Sequence, residues 1–335
     1  MDTLTEVLDN IRSSGALIDQ SLLAPQWSIR VEAGSSITVA TLLGGTGWIH
    51  QEGSAPVPLG TRDLAILTGH GPILLSSDAS NCAEPSCVVT ADGSCSDAQG
   101  NPLSEERVGL GGGVGRERLG AEGVLLTGTF PTSGRIAERL LSALPSAVVV
   151  PREHQRSRAL DVLEAELGNR GPGQQAVLDR LLDLLLIGAL RDWFALPEAF
   201  APAWYGAAGD AVVGPALSAL HADPAHEWTV ESLARRAGVS RATFARRFAE
   251  VMGEPPISYL AGWRLCKAAD LLEDSDDTLE SIARQVGYSS AFALSAAFTR
   301  EFDMRPSRYR VIARSRSAPS GPHAAPVLGS LTGHR

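Results

Sequence analysis

The spacing of apolar residues changes twice along the 335-residue chain. Over residues 1–20, Leu4, Val7, Leu8 and Ile11 recur at helical steps, which predicts an amphipathic helix ending near Gly15. From Trp27 to about Val150 the apolar runs become short or alternating, at 28–31, 36–43, 47–51, 62–68, 73–76, 124–130 and 147–150. Gly, Pro, Asn and Asp separate them, the texture of an antiparallel sandwich or barrel.

Pro151 closes that region. Two helices are predicted next, at 153–167 and 174–194, parted by the breaker Gly171-Pro172-Gly173. In the second, Leu178, Leu181, Leu182, Leu185, Ile187 and Leu190 cover more than one face. That helix should be buried on several sides, against the barrel or against its twin in a dimer. Residues 197–209 form a Pro/Ala/Gly connector, and from Ala211 onward everything reads as short helices. After about Ser315 the Ser, Pro, Gly, His and Arg content predicts a disordered tail.

One grammar occurs twice in the last third. Thr229 caps a helix whose apolar face is Val230, Leu233 and Ala234, and Gly238 supplies the left-handed residue that ends it. Val239 plugs the corner, Ser240 caps the next helix, and Phe244 and Phe248 face inward. Arg241, Thr243, Arg246 and Arg247 are left on the outer faces, where arginines can read guanine or hold phosphates. The second unit, from Thr278, repeats small Ala283, turn Gly287 and corner Tyr288. There Phe292, Phe298 and Phe302 are expected inside, and Ser289, Ser290, Leu294, Ser295 and Arg300 on the reading side. After Pro255-Pro256, a helix at 257–272 joins the units rigidly.

The segment 211–312 resembles the DNA-binding domain of the AraC/XylS family. The likeness is carried by Leu233-Ala234, Gly238-Val239-Ser240, Phe244 and Phe248, then Ile282-Ala283, Val286-Gly287-Tyr288, Phe292, Phe298, Met304-Arg305-Pro306 and Tyr309-Arg310. Asp303 departs from it, standing where the family usually has Gly. The resemblance implies two reading helices in successive major grooves of double-stranded DNA, about one helical turn apart. RNA polymerase would be a further partner.

Residues 1–150 resemble the cupin-like sensing domain that precedes this module in part of the family. The residues are Met1-Asp2-Thr3-Leu4 and Gly15, Trp48-Ile49-His50, the run from Leu59 to Leu67, Gly69-His70-Gly71-Pro72 and Ala143-Leu144-Pro145. The expected multidomain layout is an all-β cupin-like barrel (1–150), a helical linker with a dimerisation role (151–210), an all-α double helix-turn-helix domain (211–314) and a tail (315–335). A homodimer is the expected assembly.

The net charge of −9 opposes nucleic-acid binding until its distribution is read. Residues 229–316 carry about 14 Lys/Arg against 11 Asp/Glu, so a basic module rides on an acidic body. The first 20 residues lack a leader's apolar core, and Asp183 interrupts the most apolar run at 181–190. A cytoplasmic protein is expected, with no membrane contact.

Candidate chemistry in the barrel is confined to a few side chains. Cys82, Cys87 and Cys95 lie within 14 residues of a polar loop. They could form a disulfide with one thiol spare, supply three ligands to zinc, or be incidental. Glu84, Asp92 and Asp97 beside them in sequence would raise thiol pKa values. Cys266 stands apart as a packing residue. His50 lacks a second nearby His, and with His70 it falls short of a cupin metal set. A metal-dependent cupin enzyme fused to a DNA-binding module is therefore the lesser alternative to a non-enzymatic sensor of a small molecule or oxidant. The Gly-rich run at 109–115 lacks a nucleotide-binding register and reads as a loop.

Overall fold

A computed structural model describes residues 17–23, 26–32, 36–68, 71–80, 85–90, 95–97, 99–101, 123–131, 134–141, 144–167, 171–196, 199 and 202–317. The predicted helix up to Gly15, His70, Cys82, the run at 109–115 and residues 318–335 lie outside them.

The first half is two sheets. One is antiparallel, ordered β1 (Leu17–Leu23), β10 (Gly123–Pro131), β3 (Ser36–Leu42), β6 (Leu64–Thr68), β11 (Ala147–Val150). The other runs β5 (Val57–Leu59), β4 (Gly47–His50), β7 (Ile73–Ser76), β2 (Ser28–Val31), β8 (Cys87–Val89), β9 (Cys95–Ser96), with β2 and β8 parallel. Alternation sorts each strand's side chains between two cores. Ala40, Leu42, Ala65 and Leu67 join Trp27, Ile29, Ile49 and Leu75 between the sheets. Ile37, Val39, Leu64 and Ile66 face the other way, onto helix. Strand β6 is thus buried on both faces, which is why its sequence, Leu-Ala-Ile-Leu, does not alternate.

The helix on that outer face is α3 (Gln174–Phe194), placed as the sequence predicts. It sits close to the sheet because Gly128 has no side chain: a Cβ there would lie 2.6 Å from Leu182. The helix expected at 153–167 starts later. Arg152–His154 is a single 3-10 turn, and α2 spans Ala159–Leu167. Arg62 fastens α2 to the barrel through Asp161 and Glu164. The sequence reading also missed β1, β5, β8, β9 and the short helix α1 (Arg135–Leu141).

The connector holds a short helix, α4 (Ala203–Ala207), and Tyr205 packs on Phe194 with ring centroids 4.3 Å apart. Beyond it come α5 (Val213–Ala222), α6 (Val230–Arg236), α7 (Arg241–Met252), α8 (Pro256–Asp274), α9 (Leu279–Gln285), α10 (Ala291–Phe302) and α11 (Pro306–Ser317). One apolar cluster runs unbroken from Val39 and Ile66 of the barrel, through Leu182, Leu186 and Leu190 of α3, to Leu217, Phe244, Phe248 and Trp263. The second unit has its own core of Leu265, Ala268, Ala269, Leu272, Ile282, Leu294 and Phe298. Helix α8 belongs to both, which makes it a rigid spacer. No helix among the described residues is long and apolar enough to cross a membrane.

Candidate nucleic-acid interface

Each unit builds its second helix with the same local devices. In the first, Thr229 accepts the Ser232 N–H while the Ser232 hydroxyl accepts the Thr229 N–H, a reciprocal cap on α6. Gly238 takes φ +69°, the left-handed region, and turns the chain into α7. Ser240 caps α7 by accepting the Thr243 N–H at 3.2 Å. In the second, Thr278 caps α9, Gly287 turns at φ +82°, and Ser290 caps α10 through the Ala293 N–H. Asp303 ends α10 at φ 49°, so an aspartate performs the left-handed cap that glycine usually makes.

Helix α7 turns Phe244 and Phe248 fully inward and leaves Arg241, Thr243, Arg246 and Arg247 exposed, as expected. Their situations differ. Arg246 donates to Glu250 at 2.9 Å within the helix. Arg247 donates through Nε (3.0 Å) and one Nη (2.6 Å) to Asp210, whose carboxylate also accepts the Val212 and Val213 N–H groups at the start of α5. Those backbone donors, joined by Arg247, hold Asp210 below the usual carboxylate range. Arg247 thus ties α7 to the connector. Arg241, with no hydrogen bond or ion pair among the described residues, stands free at the N-terminal end.

On α10 the outward line is Phe292, Ala296 and Arg300, one turn apart, with Ser289 exposed beside it. Two expectations fail here. Leu294 is fully buried, because its spacing of four from Phe298 turns both toward α8. Phe292 is 85% exposed instead of internal. Ser290 and Ser295 are half-buried, and the Ser290 hydroxyl is spent on its cap. Sequence reasoning therefore missed two outward residues of this helix, Phe292 and Ala296, and included one internal one, Leu294.

Helix α1 of the barrel region lies against α8 and touches both units. The Arg139 guanidinium sits 4.8 Å from the Tyr259 ring centroid, and Arg135 sits 4.9 Å from Phe302 and 5.4 Å from Tyr309. Gly134 admits the Asp270 carboxylate, which a Cβ would meet at 2.6 Å.

In the barrel, His50 Nε2 lies 2.8 Å from Ser76 Oγ and 3.2 Å from the Asp78 carbonyl, an ordinary hydrogen-bonded strand histidine. Cys87 is buried in β8 and disulfide-bonded, so it is neither a loop thiol nor a thiolate available to zinc in this state. Its bonding partner is not among the described side chains; Cys95 lies in β9, but its side chain is also outside them. Asp97 is held below the usual range by Asn101 and closes a surface turn. No group of three or more potential metal ligands converges among the described residues. Cys266 is a free thiol packed at the core edge, and burial pushes it up to about 11.

Residues 2–195 match the family described as Cupin, and residues 233–311 match the family described as Helix-turn-helix domain. An AraC-like transcription regulator of Streptomyces lividans is 32% identical over 315 residues, 92% of this chain and 98% of that one. The transcriptional regulator AlkR of Acinetobacter baylyi is 27% identical over 320 residues, 92% of this chain and 99% of its own. A solved DNA-binding domain, that of AdpA in complex with a target DNA, is 35% identical with a TM-score of 0.31, covering 34% of this chain and all of its own. Likeness at this level runs through both halves of the sequence, and the chain belongs to the AraC family of DNA-binding transcriptional regulators.

Proposed function

We propose that α7 and α10 enter successive major grooves on one face of the duplex, with Arg241 and Thr243 toward base edges and Arg246, Ser289 and Arg300 toward bases or phosphates. The observation that carries this reading is the pair of capped helices fixed to one spacer, each with an exposed outer line. Ser240, Ser290 and Arg247 act by positioning the helices. The test is selection of duplexes from a random pool with the full chain, followed by footprinting. Two protected blocks about 10 base pairs apart are expected. Enrichment of no sequence would sink the assignment of readers.

We propose further that the barrel senses a small molecule or oxidant in the cytoplasm and is not an enzyme. Support comes from relatives that are regulators and from a His50 ring already engaged by Ser76 and Asp78. The Cys87 disulfide is the oxidised form of a thiol pair: a thiol reductant would open it to two thiols, and an oxidant that takes up two electrons would close it again. Helix α1, braced on Tyr259, Phe302 and Tyr309, gives a signal a route to both readers and, through them, to RNA polymerase. DNA affinity of the full chain, compared with and without thiol reductant, should differ; equal affinity in both would remove the oxidant reading.

A homodimer is favoured by the outer face of α2 and α3, where Val162, Val177 and Leu184 are 51%, 43% and 50% exposed. Leu184→Glu should shift the sedimentation coefficient from dimer to monomer. A parent that sediments as a monomer would end this proposal.

A further inference from the structure

Among the large apolar side chains exposed in the described residues, Phe292 is the most so, at 85%. A single exposed aromatic is ordinary on a protein surface; what marks Phe292 is its position on the helix. With Ser240 and Ser290 as equivalent caps, Phe292 falls where α7 has Ala242, and Ala296 falls where α7 has Arg246. The first helix therefore presents cations and a hydroxyl, and the second presents a neutral apolar ridge, Phe292 followed one turn later by Ala296. No acidic side chain sits in the first turn of α10, and Arg300 continues the line toward the helix end. The Glu280 carboxylate nearby is engaged by the Ala291 N–H at 3.0 Å.

The apolar feature on the edge of a base pair in the major groove is the C5-methyl of thymine. Small Ala296 would let the helix approach closely, Phe292 would cover the methyl, and Arg300 would meet a phosphate. We propose that Phe292 is a specificity-determining residue that reads thymine methyl groups in the half-site under α10. This rests on the reading of α10 as a groove-entering helix.

The test uses the full chain and the duplex obtained by selection. Each thymine of the half-site under α10 is replaced in turn by deoxyuridine, which removes the methyl and leaves the hydrogen-bonding edge intact. The parent should lose about threefold to fivefold in affinity at one or two positions, the effect of one buried methyl-sized group. F292A should bind more weakly and become indifferent to those same replacements, while keeping the footprint under α7. F292Q should also lose methyl sensitivity, since an amide reads adenine. Because the side chain is exposed, both variants should melt with the parent, which separates a reading defect from a folding one.

A parent that tolerates every deoxyuridine overturns the proposal while leaving DNA recognition intact. So does an F292A variant that keeps the parent's sensitivity, including one that keeps it but fails to activate transcription in a reconstituted system, which would assign Phe292 to a protein partner. Selection of no sequence removes this proposal together with the reading it rests on.

Discussion

The Asp270 carboxylate of the central helix accepts the backbone N–H of Arg135, at 2.5 Å, across the junction between barrel and DNA-binding domain. Burial is the main cause that pushes Asp270 up to about 7, with Asp274 and Glu273 adding repulsion and the N–H groups of Arg135 and Ile136 opposing it. A carboxyl raised from 3.8 stabilises the folded chain fully below about pH 4, and that contribution is lost as pH rises through 7. Asp270→Asn keeps an acceptor without the charge. Its melting temperature should exceed the parent's at pH 8, by a margin that narrows below pH 7 and closes only near pH 4, checked by calorimetry. A constant offset across that range would contradict the assignment.

His221 pulls the other way. It is stacked on Trp263 at 4.1 Å, bonded to the Tyr259 hydroxyl at 2.7 Å, and driven down to about 3, chiefly by burial. Its contribution is present above pH 6.5 and is lost as pH falls toward 3, at up to ~1.4 kcal/mol per unit. His221→Gln should be less stable than the parent at pH 7 and should lose less between pH 6 and 4. Urea melts at three pH values measure both.

Arg241 and Arg247 should separate cleanly. Arg241→Ala should cost roughly 1–3 kcal/mol of DNA affinity and relax preference at one base, with melting unchanged. Arg247→Ala, which unties α7 from Asp210, should lower the melting temperature more than it changes base preference. Binding isotherms on selected and single-substituted duplexes, beside thermal melts, would show the split or its absence.

The two turn glycines are equivalent in sequence and unequal in space. At Gly238 a Cβ meets nothing within 4 Å, so Gly238→Ala should cost about 1 kcal/mol for its positive φ alone. At Gly287 the same atom would lie 2.8 Å from the Ala225 backbone, so Gly287→Ala should cost clearly more. Equal denaturation midpoints for the pair would refute the close approach.

Cys266, raised to about 11, should react with iodoacetamide at neutral pH only after unfolding. Rapid labelling of the native chain, mapped by peptide mass, would show the site to be open.

The helical third was legible because caps, turn glycines and paired aromatics each demand particular residues. The Phe292 error was avoidable: six residues at about 100° each set it some 120° from Phe298, whereas Leu294 lies one turn away. Strands β5, β8 and β9 were missed because two or three residues hold barely one alternation. Helix α1 was hidden in strand-like surroundings, and its docking depends on Tyr259, Phe302 and Tyr309, far away in sequence. Nothing local marked Asp270 as its partner. The start of α2 was misjudged because 152–158 offers helix-compatible residues that the chain instead uses in a 3-10 turn and an extended step.

The unbroken apolar cluster from Ile66 to Trp263 bears on how such a regulator can change over generations. Splicing a foreign front domain onto this DNA-binding domain at the connector would strand Trp193 and Phe194 on one side of the seam and Ala216 and Leu217 on the other. Each half therefore constrains the other at the seam: a new size at Phe194 calls for an answering change at Tyr205.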